Sequence, residues 1–497
     1  MIENEQETFK QAFSLHKQGK LDEAEMLYTQ VVEHNPKHAE ALNFLGIINM
    51  QKFKLSMAEE FIKKAIAITP EPYFYENLAK VYLEMEDSAR AILIYSELLK
   101  YMPESFNYTF NIASAYKHAG DFDNSIKMYK KAIELVPSNP DSYFNLGLIY
   151  NNLSQPEEAI KYYKKAVELS PDDMETRYFT GITYFRNRDY KNGLQYFESR
   201  LCKQSAIMTQ QTTYPNLIKQ APLWDGKTDI SDKTVYTYYE AGFGDVLMFA
   251  RYLPLLKQKC KKLIFKPQVP LVELFQENYP DIYVMKLFDH ESIMHFDYHI
   301  PILSLPYILG LDENNMFIGR EGYLRALPEK IQDYKERYFN NNKFKIGIKW
   351  RGNTHYEMDR VIEITSFIKL FGIENTKFYS FQTFEGAEDL NKIINDYDIT
   401  DIGKTVKNFS DTAGALQNLD LVICNDTSLA HLAGAMNIPC WILLPYNYNW
   451  RWHLDLSKCD WYESVKLYRQ KQAGDWDEIF DRMYNDLLSL REIEQKV

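Results

Sequence analysis

Apolar residues recur along the first two hundred positions with a period that no single helix explains. Pro36, Pro70, Pro103, Pro137 and Pro171 are separated by 34, 33, 34 and 34 residues. A small residue stands 12 positions before each of them, at Ala24, Ala58, Ala91, Ser125 and Ala159. A large one follows four positions later, at Tyr28, Ile62, Tyr95, Tyr129 and Tyr163, on the same helical face. A second small position recurs at Ala12, Gly46, Ala79, Ala113, Gly147 and Gly181. Small residues where two helices cross, with proline after the second, predict stacked antiparallel helix pairs. No pair can bury its apolar face alone, so stacking builds a superhelix with a concave wall. A sixth unit from about residue 174 keeps Gly181 and Tyr184 but has Gly193 and Arg200 at expected packing positions, and is expected to be a degenerate cap.

After residue 200 the period stops. Residues 203–233 are polar and irregular, a predicted linker. From 234 the pattern changes to short apolar runs followed by helical stretches: TVYTYYE, KLIFK and DYHIPI, then, past a charged segment near 325–343, FKIGIKW, KFYSFQ, LDLVICND and PCWILLP. Two alternating blocks predict two parallel-sheet α/β domains. The expected boundaries are 1–202 for the helical superhelix, 203–233 for the linker, 234–335 for the first α/β domain and 336–497 for the second.

Composition narrows the function classes. The 57 Lys and Arg against 69 Asp and Glu give a net charge of −12, with no dense basic block, so nucleic acid and an anionic membrane are not expected partners. Five cysteines in 497 residues (202, 260, 424, 440 and 459) form neither a disulfide framework nor a metal motif, which fits a reducing cytoplasm. No apolar stretch reaches a membrane span, and the first residues lack a signal-peptide pattern. The spacing His295/His299 falls in a strand-like segment and is set aside as a metal site.

Candidate chemistry gathers just after the strands, where ligands of parallel sheets bind. The first block has Glu240, Gly242, Gly244 and Asp245, a tight turn before a helix that falls short of a dinucleotide fingerprint. Asp245 reads either as a helix cap or as a carboxylate facing the cleft, able to take a proton from an attacking hydroxyl. In the second block Asp426, Thr427 and Ser428 directly precede a helix whose free N–H groups and dipole favour a phosphate. His431 lies one turn in, as a structural or a functional imidazole. Lys349 and Arg351 bring positive charge to another strand end, one of them being expected to face the cleft. In the repeats Asn77, Asn111 and Asn145 are 34 apart, with Phe44 and Phe179 taken as their counterparts in units two and six. A row of carboxamides can hold an extended backbone without reading its sequence, or Asn simply tolerates this helix face.

The repeat has the tetratricopeptide pattern, and its asparagine row resembles the ladder of O-GlcNAc transferases. Together EAGFGDVLMFARYLPLL, IKWRGN…DR, DTAGALQNLDLVICNDTSLAHLAGAMNIPCWILLP and NWRW resemble bacterial tetratricopeptide-repeat glycosyltransferases with a heptosyltransferase-like catalytic half. The resemblance implies a GT-B fold of two Rossmann-like domains and a metal-independent transfer from a nucleotide sugar, with no cofactor. Asp245 would be the general base of an inverting reaction. Thr427, Ser428 and His431 would hold the donor diphosphate, Lys349 or Arg351 would add charge, and Gln382 and Asp426 would lie near the nucleotide. Asp411 would cap the bordering helix, and Phe243 stands where related sequences have Leu. The acceptor implied is a polypeptide held by the repeats, flagellin or another surface protein by analogy. Alternatives are a lipopolysaccharide or lipid-linked acceptor, and a scaffold whose α/β half is inert.

Overall fold

The 34-residue period becomes helix pairs of uniform size. The computed structural model describes residues 5–202, 221–286, 295–352, 360–452 and 459–494, of which 492–494 are described in backbone alone. Five pairs run from Glu5–Lys17 with Leu21–His34 to Pro140–Asn152 with Pro156–Leu169; the first helix of each has 13 residues and the second 14. Each periodic proline falls two residues beyond the second helix, where it cannot continue the turn. The small residues at 24, 58, 91, 125 and 159 and the large ones four later are all fully buried. Ser125 differs from its alanine counterparts and donates its hydroxyl to the Ala113 carbonyl at 2.7 Å. Gly46 is small for a reason: a Cβ there would sit 2.4 Å from Ile62 Cγ1.

The backbone carries the same period. The turn inside every pair has one residue in the left-handed region: Gly19, Phe53, Glu86, Gly120, Ser154 and Arg188, with φ between 56° and 75°. At Phe53 this strain is not offset by burial, since the side chain is 80% exposed. Phe53→Gly is expected to stabilise the repeats by roughly 0.5–1 kcal/mol, because glycine adopts this conformation without the Cβ clash. Circular dichroism melts check this; an unchanged or lower midpoint refutes it.

The chain divides into two compact units, residues 1–176 and 177–497. The sixth pair, Met174–Arg186 with the short Tyr190–Phe197, thus contributes Phe185, Tyr190, Leu194 and Phe197 to the core of the second unit. The second unit holds two parallel sheets. Strands β1 (Thr234–Tyr238), β2 (Lys262–Lys266), β3 (Tyr283–Val284) and β4 (Tyr298–Pro301) lie in the order β3-β2-β1-β4. Strands β5 (Phe344–Lys349), β6 (Thr376–Ser380), β7 (Ile399–Asp401), β8 (Leu421–Asn425), β9 (Cys440–Leu444) and β10 (Val465–Arg469) lie in the order β10-β9-β8-β5-β6-β7. All pairings are parallel. β8 and β9 are buried at every position, which explains their unbroken apolar runs. One face of the larger sheet is covered by the helix Asp477–Glu494 through Ile479, Phe480, Met483 and Leu487.

From β5 the chain winds outward one way through β6 and β7, then returns to wind the other way through β8, β9 and β10. The reversal lies between β5 and β8, and in the smaller sheet between β1 and β4. Doubly wound sheets open a crevice at such a switch point, beyond the carboxyl ends of the strands. Among the described residues no helix is long and apolar enough to cross a membrane.

Candidate functional site

Three chain segments leave strands at these reversals: 239–245 after β1, 350–352 after β5 and 426–428 after β8. Beyond β1, Ala241 is held at φ 58°, a left-handed conformation that costs a residue with a Cβ about 1–2 kcal/mol. Gly242 then caps the helix Phe243–Phe249, and Asp245 in its first turn accepts the Gly242 N–H at 3.1 Å. Beyond β8, Thr427 caps the helix Ser428–Ala435 through its backbone, while its hydroxyl reaches back to the Asn425 carbonyl at 3.3 Å. The first intrahelical bonds run from Ala430 and His431 to the Thr427 carbonyl, so the Ser428 and Leu429 N–H groups precede them. The partly exposed helix start is not plugged by its own capping side chain.

These two motifs meet. A Cβ on Gly244 would lie 2.7 Å from His431 Cδ2, so the absence of a side chain lets the turn after β1 seat directly on the helix after β8. Across the same crevice, a Cβ on Gly352 would lie 3.2 Å from Thr427 Cγ2. Asn353 lies outside the described residues.

The side chains divide into those that remain available and those already engaged. Asp245 forms an ion pair with Arg451, and Asp426 one with Arg360 at 3.1 Å. His431 is buried, shares a 3.0 Å hydrogen bond with the Tyr462 hydroxyl and stacks on Trp452 at 5.4 Å. Burial pushes its imidazole down to about 4, which keeps it neutral and makes it a packing residue of the helix contact. Glu240 does not face the crevice: it is buried against Arg200, Oε2 to Nη2 3.0 Å, and accepts the Leu303 N–H at 3.3 Å. Gln382 is also spent. Its oxygen accepts the Trp350 and Arg351 N–H groups at 3.2 and 3.0 Å, and its nitrogen donates to the Arg351 and Glu385 carbonyls at 3.0 and 2.7 Å. It fastens the turn after β5 to the loop after β6. Asp411 is not the helix cap; Asn408 is, while Asp411 receives Lys330 at 3.0 Å and the Lys407 N–H at 3.1 Å. Phe243 is partly exposed and packs on Phe409 at 5.3 Å.

Lys349 and Arg351 part company for a reason other than strand alternation, since positions two apart share a face. β5 ends at Lys349, and Arg351 turns away to Asp389 at 3.2 Å. Lys349 is buried beside β8, in register with Cys424, and has no carboxylate partner among the described residues. Its amine has the Phe381 carbonyl and the Thr383 hydroxyl at 3.4 Å, and burial pushes it down to about 8. That burial costs stability while the amine is charged, a cost that fades as pH rises past 8 toward the unfolded value. An anion bound nearby must raise the same pKa. Any diphosphate that binds beside this amine is therefore expected to take up protons and to bind up to about tenfold more weakly per pH unit above 8. Calorimetry at pH 7, 8 and 9 measures this; a flat profile, or one that Lys349→Met leaves intact, rules it out.

In the repeats, Asn77 Nδ2 donates to Asn43 Oδ1 at 3.0 Å. Asn43 lies buried one position before the row, and Phe44, sixth in the helix Ala39–Gln51 as Asn77 is in Pro72–Glu84, holds the equivalent place. Asn145 accepts Lys117 Nζ at 2.6 Å and donates to the Asp141 carbonyl at 2.9 Å. Asn111 completes the row, partly exposed between them.

The class so defined is a tetratricopeptide-repeat segment followed in sequence by a two-sheet parallel α/β unit. Tetratricopeptide-repeat models match residues 9–71, 113–154 and 140–173, and repeats of this kind are protein-interaction modules. Among solved structures the chain is similar to TTC0263, a thermophilic tetratricopeptide-repeat protein of Thermus thermophilus, at 21% identity over 40% of this chain and 100% of that one, TM-score 0.32. It is also similar to YrrB, described as a tetratricopeptide-repeat protein with an unusual peptide-binding site, at 20% identity over 35% of this chain and 90% of that one, TM-score 0.30. MamA of Desulfovibrio magneticus matches at 16% identity over 35% of this chain and 99% of that one, TM-score 0.32. No curated protein matches the chain.

Sequence reading named no role for Arg200, Arg360 or Arg451, although the motifs containing Arg360 and Arg451 were among the segments that carried the family resemblance. No local signal joined these arginines to their acids, which lie 40 or more positions away at Glu240, Asp426 and Asp245.

Proposed function

We propose that this chain is a glycosyltransferase of GT-B architecture that moves a sugar from a nucleotide-sugar donor to a hydroxyl of a polypeptide held by the repeats. The observation that carries the reading is the seating of Gly244 on His431, which sets the Asp245 turn beside the open helix start at Thr427–Ser428. Breaking a glycosyl–phosphate bond builds negative charge on the departing diphosphate. In this reading the Ser428 and Leu429 N–H groups, the helix dipole and the Lys349 amine stabilise that charge from fixed positions. Asp245 takes the proton of the acceptor hydroxyl as it attacks the anomeric carbon, and Arg451 holds the carboxylate in place beforehand. His431 supports the site by packing.

A scaffold with an inert α/β half is the competing reading, favoured by the engagement of Asp245 with Arg451. A panel of nucleotide sugars screened for thermal stabilisation separates the two: a cognate donor raises the melting temperature by mass action. If none does so at saturating concentration, the donor site is refuted and the scaffold reading stands.

A further inference from the structure

A cavity of about 390 Å³ opens beside the Asp245–Arg451 pair, inside the size range of about 300–1,000 Å³ typical of small-molecule sites. Three arginines from separate elements line it: Arg186 from the helix Met174–Arg186, Arg360 ahead of the 3₁₀ turn at 364, and Arg451 after β9. No carboxylate among the described residues lines it. Asp426 and Asp245 stand behind Arg360 and Arg451 and each engages its arginine, while a guanidinium has five N–H donors. On Arg451 the buried Nε has no partner. Arg186 lies over the Tyr448 ring at 4.7 Å and donates to the Tyr448 carbonyl at 3.2 Å, which fixes its guanidinium in the wall. The remaining surface is supplied by the carboxamides of Asn447 and Asn449 and the rings of Tyr178 and Trp450.

Aromatic faces and carboxamides suit the hydroxylated ring of a saccharide, and converging guanidiniums suit a planar or tetrahedral anion held through paired hydrogen bonds. We propose that this cavity is a subsite for an acidic saccharide, one that carries a carboxylate or a phosphate. The saccharide half of the assignment rests on the glycosyl-transfer reading; the preference for an anion stands on the cavity alone. Arg186 is its specificity-determining residue, since Arg360 and Arg451 also hold the carboxylates behind them.

The test uses the full chain and four probes: glucuronate, glucose 6-phosphate, glucose and inorganic pyrophosphate, followed by calorimetry. Glucuronate or glucose 6-phosphate should bind at least tenfold more tightly than glucose, and whichever of the two prevails identifies the anion. Arg186→Met should lose at least tenfold of that affinity, Arg186→Lys should recover part of it, and nucleoside diphosphate affinity should stay within twofold in both. Equal binding of glucose, or acidic-sugar binding untouched in Arg186→Met, overturns the proposal. So does displacement of glucuronate by pyrophosphate together with its loss in Lys349→Met, which would make the cavity part of the phosphate site. If no nucleotide sugar binds while the acidic sugar still does, the transferase reading fails and the subsite remains.

Discussion

Arg200→Met is expected to destabilise the 177–497 unit by about 3–5 kcal/mol, the cost of breaking a buried ion pair from one side. Arg200 and Glu240 are each 3% exposed, and Arg200 also reaches Glu198 at 2.6 Å and Ser304 at 2.7 Å. With the guanidinium gone, Glu240 is left charged in the core, held by the Leu303 N–H at 3.3 Å. Burial already pushes this carboxyl upward against the pull of Arg200, so the variant should relieve its strain by protonation. Its loss of stability should accordingly shrink as pH falls. The double variant Arg200→Met with Glu240→Leu should recover part of the loss, because the fully buried charge is then gone and Glu198, 17% exposed, still accepts the Ser304 hydroxyl. All seven tryptophans (224, 350, 441, 450, 452, 461 and 476) lie beyond residue 176, so tryptophan fluorescence in urea follows this unit separately from the repeats. A single variant within 1 kcal/mol of the wild type would show that the pair carries no such weight.

Asp245→Asn is expected to lower sugar transfer by about 10²–10⁴, the usual contribution of a positioned general base. The melting temperature should fall less than in Asp245→Ala, because the asparagine oxygen can still accept the Gly242 N–H, although the charge opposite Arg451 is lost in both. Asp245→Ala is a poorer probe: it removes that bond, worth about 1 kcal/mol, and strands Arg451 in a mostly buried position. The two variants therefore separate chemistry from stability. Transfer, or donor hydrolysis with a cognate nucleotide sugar, is the assay; undiminished turnover in Asp245→Asn would exclude this carboxylate as the base.

Periodicity made the repeats legible because each helix pair solves the same packing problem with residues four and twelve apart. The central strands were legible for a related reason: buried on both faces, they leave apolar runs such as LVICN and CWILL. β3, β7 and β10 left little trace. β3 has two residues, β7 three, and β7 and β10 are the outer strands of their sheet. The motifs around Gly244 and Ser428 could be found locally, but their contact could not. Ion pairs escaped most completely, since Arg200 and Glu240 are 40 positions apart and Arg451 lies farther still from Asp245. The bracing role of Gln382 left no trace, because a strand-end amide looks alike in sequence whether it meets a ligand or fastens two loops.

The amide of Asn77 already clasps that of Asn43, and Asn145 is held by its own neighbours. In the proposed reading, a guest chain held by this row would have to displace these contacts, each opening as an incoming peptide group takes its place. Its affinity would then grow in steps with its length, and short fragments, which replace few contacts, would bind weakly.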